Sequence, residues 1–169
     1  MRQPLLRRGP VLVLSLSAAL LGGCFSTPKP PKFEVIDAGV TQRTEGGTVV
    51  TFLLKGTNEN ADPLPLENVS YSLSLDGREV FSGVRLAECV LPAKGEHVLR
   101  LPVPVASDAS GVTGGGAAAY RLGGSIVYKI PGSIAEIFFD SGLRRPTVGF
   151  GEGGTLEFAR ELPPAPALN

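Results

Sequence analysis

The chain has 169 residues, with 16 basic and 16 acidic side chains, 22 Gly, 15 Pro, no Trp and a single histidine, His97. No run of like charge exceeds Arg144-Arg145, which excludes a nucleic-acid binder, whose target demands a basic face. One histidine also excludes a His-rich zinc site and leaves a Ser/His/Asp triad without support.

The chain opens with "MRQPLLRRGPVLVLSLSAALLGGC", in which Arg2, Arg7 and Arg8 precede an apolar run from Val11 to Leu21. That run falls short of the ~20 apolar residues of a membrane span and matches the h-region of a secretory signal. Leu21-Gly22-Gly23-Cys24 resembles the lipobox of bacterial lipoproteins. The resemblance implies cleavage between Gly23 and Cys24, with a thioether-linked diacylglycerol and an amide-linked acyl chain on Cys24. Arg7-Arg8 suggests twin-arginine export only weakly, because Gly9-Pro10 is a poor continuation. Phe25, rather than Asp, follows the cysteine. By the sorting rule of Gram-negative lipoproteins this points to the outer membrane, on its periplasmic or exterior face.

Residues 1–23 are thus expected to be a signal peptide, and residues 24–32 a lipidated cysteine with a Pro-rich tether. "FSTPKPPK" is extended at ~3.1 Å per residue, a spacer on the order of 25 Å. Residues 33–160 form the expected domain, and "ELPPAPALN", residues 161–169, a Pro-rich tail. Without the leader arginines the chain carries a net charge near −3.

Within the domain, apolar segments recur every ~10 residues between turn signals, the pattern of an antiparallel sandwich. "KFEVIDAGV" opens the series. "TVVTFLLKGTN" places Val50, Phe52 and Leu54 on one face and Val49, Thr51 and Leu53 on the other. "NVSYSLSLDG" predicts Val69, Tyr71, Leu73 and Leu75 inward and Ser70, Ser72, Ser74 and Asp76 outward. Asp76-Gly77 is a type I′ turn signal leading back through "REVFSGV". "LPAKGEH" turns around Lys94-Gly95, and "HVLRLPVPV" belongs at an edge because Pro102 and Pro104 lack amide donors. A glycine-rich loop, "SDASGVTGGGAAA", follows. "YRLGGSIVYKI" then aligns Tyr120, Leu122, Ile126, Tyr128 and Ile130. "SIAEIFFD" reads as a strand or a short helical turn, and "TLEFAR" closes the sheet, giving about seven or eight strands.

Several motifs invite chemistry and are better explained otherwise. Asn58, Glu59, Asn60 and Asp62 are oxygen-rich like a calcium loop but lack the Gly and distal Glu of an EF-hand, so a connecting turn is expected. "GFGEGG" fits G-x-G-x-x-G through Gly149, Gly151 and Gly154. Too little chain follows for a dinucleotide fold, and a glycine-rich β-turn is expected. Asn68-Val69-Ser70 matches a glycosylation sequon that a bacterial lipoprotein would leave unused. Cys89 sits among apolar residues in "RLAECVLP" and reads as a small core hydrophobe rather than the nucleophile of a Cys89/His97 pair. Asp37, Glu88 and Asp140 show no catalytic pairing. No catalytic residue, metal ligand or cofactor is assigned.

The segment "TNENADPLPLENVSYSLSLDGREVFSGV", followed by "LPAKGEHVLRLPVPV", resembles the late embryogenesis abundant type 2 family, also described as the WHy (water stress and hypersensitive response) domain. The positions that carry the resemblance are Asn58, Asn60, Pro65, Leu66, Tyr71, Leu73, Gly77 and Gly83. Leu91, Pro92, Gly95 and Val103 to Val105 continue it, and it spans roughly Phe33 to Phe158. Only "GSIAEIFFDSGLRRP" departs from the family's pattern. The resemblance implies an all-β, antiparallel sandwich of fibronectin-III or immunoglobulin kind, a role in desiccation or other stress, and no catalysis. The expected partners are a membrane, through the lipid on Cys24, and weak protein or lipid-headgroup contacts. The alternative expectation is an envelope binding module, serving complex assembly or carrying an apolar ligand between its sheets.

Overall fold

The computed structural model describes residues 28–109 and 116–163. The signal peptide, Cys24, the centre of the glycine-rich loop and the end of the tail lie outside them. Seven strands and one helix follow in order: β1 (Lys32–Thr44), β2 (Gly47–Thr57), β3 (Leu64–Leu75), β4 (Arg78–Leu91), β5 (Glu96–Ala106), β6 (Ala117–Tyr128), α1 (Ser133–Asp140) and β7 (Thr147–Glu157). They form two antiparallel sheets, ordered β1-β2-β5 and β4-β3-β6-β7. The fourth strand therefore sits beside the third. In the immunoglobulin constant type it joins the sheet of the first, second and fifth. Of the two sandwich kinds the resemblance implies, the fibronectin-III-like one is realised.

Period-two patterning decides which way each strand faces. Val50, Phe52 and Leu54 of β2 are fully buried, as are Val69, Leu73 and Leu75 of β3, while Ser70, Ser72 and Ser74 point away from the core. Leu122, Ile126 and Tyr128 of β6 and Leu101, Val103 and Val105 of β5 complete the interior. Phe52 and Tyr120 meet across the sheets with ring centroids 5.3 Å apart. A large side chain buried this fully contributes ~1.5–3 kcal/mol.

The tight turns match their sequence signals. Asp76 (φ 48) and Gly77 (φ 81) both take positive φ, as a type I′ turn requires. The Asp76 carboxylate accepts a hydrogen bond from the Ala119 amide at 3.0 Å and ties the hairpin to β6. In β4 one extra residue bulges between Leu86 and Cys89, with Glu88 at φ 49.

Edges are protected in different ways. β5 is an edge strand, and its prolines remove donors that a further strand would need. The β1 edge is covered by Arg160, the last residue of the expected domain, and by Glu161 and Leu162, the expected start of the tail. The Val40 amide donates to the Arg160 carbonyl at 2.9 Å, and the Leu162 amide donates to the Val40 carbonyl at 2.8 Å. Glu161 bridges β1 in parallel, Leu162 is buried, and Arg160 pairs with Asp37 at 2.8 Å.

One sequence expectation is corrected and one left open is decided. Gly149, Gly151 and Gly154 lie inside β7 and not in a turn, each paired in register with β6. Aromatic rings cover glycine backbone on both strands of the β6–β7 ladder. The Phe150 ring lies over Gly124, and the Tyr120 ring over Gly154. A strand with so few side chains has little period-two signal, so its glycines read as a turn. Of the strand and the helical turn that "SIAEIFFD" allows, the helix, α1, forms, and the described residues hold seven strands.

Burial raises the pKa of all three tyrosines, Tyr71, Tyr120 and Tyr128. The neutral phenol is the form the interior accommodates, so the folded state holds these protons more tightly than the unfolded chain. Their contribution to stability is complete below about pH 10, the ordinary tyrosine value, and is lost as pH rises through the folded values. Tyrosinate absorbance of the folded protein should therefore rise at higher pH than that of the protein in denaturant. Coincident titrations would contradict the burial argument.

Candidate functional site

Strand alternation collects one set of connections at one pole. The start of β1, the β2–β3 loop, the β4–β5 turn and the β6–α1–β7 crossover all lie there, at the end where the chain enters the domain. A cleft of about 350 Å³ opens at this pole, lined by Pro28, Lys29, Glu59, Asn60, Lys94 and Pro131, among others.

Asn58 organises the pole. It is 1% exposed, and its amide nitrogen donates to the carbonyls of Asp62 (2.8 Å), Pro92 (3.0 Å) and Leu91 (3.4 Å). Its side-chain oxygen accepts from the backbone amide and the side-chain amide of Asn60, both at 2.9 Å. Asn60 in turn accepts from the Lys29 amide and donates to the Lys29 carbonyl, both at 2.8 Å. The oxygen-rich opening of this loop therefore bonds its own backbone and its neighbours, as a connector does. It also grips the stretch expected to be free tether.

Charge gathers on Glu59. Lys29 lies 3.2 Å from its carboxylate, Lys32 also pairs with it, and the Lys94 ammonium donates to the Glu59 carbonyl at 2.5 Å. Hydrogen bonds from Lys32 and then Lys29 hold the Glu59 carboxyl below the usual carboxylate range. Three lysines against Glu59 and Asp62 leave this rim weakly cationic, a feature hidden in the sequence because the start of β1, the β2–β3 loop and the β4–β5 turn are distant segments.

The other signature residues serve the frame. The Pro65 carbonyl accepts from the Lys129 amide at 2.9 Å, and Leu66 and Leu73 are core residues. The Tyr71 hydroxyl donates to the Pro102 carbonyl at 2.7 Å, linking the two sheets. Gly77 makes the hairpin turn, and Gly83 lies beneath the Phe81 ring. Cys89 and His97 line a seam of about 240 Å³ between β4 and β5, together with Arg85 and Leu99. Burial pushes the Cys89 thiol up, away from the thiolate that a nucleophile requires. Asp37 and Asp140 are each tied to a cation, Arg160 and Lys129 respectively.

The family model for late embryogenesis abundant protein, LEA type 2, matches residues 53–150, more than half of the chain. The chain belongs to this family. The match runs from the middle of β2 into β7, and the LEA sandwich extends past it at both ends through β1 and Phe158. A solution structure of a protein described as late embryogenesis abundant is similar over 76% of this chain and 71% of its own, at 21% identity and a TM-score of 0.61. A solution structure of an Arabidopsis thaliana protein is similar over 82% of this chain and 89% of its own, at 17% identity and a TM-score of 0.59. A crystal structure of a protein from Archaeoglobus fulgidus covers 78% of this chain and 97% of its own, at 13% identity and a TM-score of 0.50. At these identities the structural likenesses speak for the fold. No curated protein sequence gives a significant match.

The LEA domain also carries, on the helix that the sequence left open against a strand, an apolar face turned outward. Ile134, Ile137 and Phe138 of α1 are 71%, 65% and 43% exposed, and Leu143 just beyond is 76% exposed. The i, i+3, i+4 spacing in "SIAEIFFD" is the signal that could have found this face.

Proposed function

We propose that this LEA domain is held at a bacterial membrane by lipid on Cys24 and acts there as a non-catalytic protective protein in desiccation or related stress. The observation that carries the reading is the order Leu21-Gly22-Gly23-Cys24 after an apolar run, eight residues before the first strand of a LEA type 2 sandwich. Several acyl chains at one cysteine give stable anchoring, since each buried methylene contributes ~0.8 kcal/mol and a single chain holds only marginally. Phe25 after the cysteine favours the outer membrane. A polar sandwich on a short leash stays close to headgroups and to neighbouring proteins as water is lost, where weak contacts are enough.

The test pairs chemistry with survival. The native protein should partition with membranes and carry acyl mass on its N-terminal peptide, and Cys24→Ala should lose both. A deletion strain should survive drying poorly and be rescued by the native gene but not by Cys24→Ala. Membrane retention of Cys24→Ala would overturn the anchor, and normal survival of the deletion strain would overturn the protective role.

The seam between β4 and β5 favours a second reading, an envelope binding module. Its walls include Val69, Leu99 and Leu101 of the core, which gives an apolar ligand a place to enter between the sheets. Lipid extracted in stoichiometric amount from the purified protein would decide for this reading.

A further inference from the structure

We propose that α1 lies in the headgroup layer of the membrane that holds Cys24, with Ile134, Ile137 and Phe138 inserted and Leu143 beside them, so that the domain docks by a second contact. This inference rests on the lipid-anchor reading above.

The helix has three distinct faces. Phe139 is buried and Ala135 half-buried, which fixes the helix to the domain through an i, i+4 pair. Glu136 and Asp140 form an acidic edge, with Asp140 paired to Lys129 at 3.0 Å. The remaining face presents Ile134, Ile137 and Phe138 outward. Lys129 and Arg145 lie against the ring of the buried Phe139 at 4.9 Å and 5.5 Å, so two cations sit where the helix meets the domain. An apolar face with basic neighbours is the composition of an interfacial helix, while scattered single apolar residues would need no explanation.

Chain length selects lipid as the occupant. Asn60 holds both backbone groups of Lys29, so only Phe25 to Pro28 separate the fixed chain from Cys24. Five Cα steps span on the order of 17 Å at full extension, shorter than the spacer expected from sequence. Pro131, two residues before α1, lines the same cleft as Pro28 and Lys29. The leash and the apolar tip thus leave the domain at one pole, and an anchor on Cys24 brings that tip to the bilayer. Lys29, Lys32 and Lys94 around the cleft add a cationic rim suited to lipid phosphates, opposed by Glu59 and Asp62.

The experiment uses the full lipidated chain in phosphatidylethanolamine–phosphatidylglycerol vesicles. In a Cys89→Ala background, an environment-sensitive fluorophore is attached at Ile137→Cys or, in the β1–β2 turn at the opposite pole, at Glu45→Cys. The probe at 137 should shift to the blue and be quenched by nitroxide lipids, and the probe at 45 should show neither change. An Ile134→Ser/Ile137→Ser/Phe138→Ser variant should keep its unfolding temperature yet lose quenching of a probe at Leu143→Cys. Acyl mass on Cys24 with a water-exposed probe at 137 would overturn the inference and leave the anchor standing. Absence of both acyl mass and vesicle binding would overturn the anchor, and the inference with it. A blue shift without nitroxide quenching would assign the face to a protein or a second copy of this chain, and would also overturn it.

Discussion

Asn58→Ala should lower the unfolding temperature by roughly 10 °C. The side chain is 1% exposed and joins three carbonyls on two connections. It also supplies the acceptor for two Asn60 donors. Truncation leaves several of these groups without partners in a space too closed for water to replace them fully. Each buried unsatisfied group costs about 1–3 kcal/mol, so a total near ~3 kcal/mol is expected. For a domain of this size, 1 kcal/mol moves the midpoint by about 3–5 °C. Asn58→Asp is the sharper control. It keeps shape and acceptor but turns the donor toward three carbonyls into an oxygen, and it should be at least as damaging as alanine. Thermal and denaturant unfolding of both variants check this. A shift within a degree or two for both would show that the knot at the pole contributes little.

Gly124→Ala should destabilise the domain by about 3 kcal/mol, while the neighbouring Gly123→Ala should be neutral or stabilise it by ~0.4–1 kcal/mol. A Cβ on Gly124 would stand 2.4 Å from the Ser70 carbonyl oxygen of the adjacent strand and 2.6 Å from the Phe150 ring. The backbone oxygen cannot yield without opening the β3–β6 ladder. A Cβ on Gly123 meets nothing within 4 Å on the outer face, where the gain is reduced freedom of the unfolded chain. Denaturant midpoints of the two variants should therefore move in opposite directions or differ by most of the Gly124 effect. Equal shifts would mean that Phe150 and its strand swing away at little cost.

The pair also marks how far the sequence is legible. The alternation in "NVSYSLSLDG" is enough to put Val69, Leu73 and Leu75 inside, because a strand buried on one face writes that burial at every second residue. "GFGEGG" carries no such record. Glycine contributes no side chain to either face, and the strand is held by its ladder to β6, where Tyr120 covers Gly154 and Phe150 in turn covers Gly124. Nothing local distinguishes that from a turn.

At the pole the division is similar. Asn58 and Asn60 are legible as a turn, since short polar side chains near a strand end bond local backbone. That they also grip Lys29 and the β4–β5 turn is not legible, because those partners lie about thirty residues away in either direction. The lysines meeting at Glu59 and the outward face of α1 share this origin.

The sequence alone determined the all-β class, the inward set of β2 and β3, the Asp76-Gly77 hairpin and the family signature, because each is written in local periodicity or turn chemistry. Only the tertiary structure decided that β4 joins β3, that β7 is a glycine strand, that Arg160 to Leu162 seal the β1 edge, and that α1 turns its isoleucines outward. Those features depend on which distant segments become neighbours, and that is settled by how two sheets share one core.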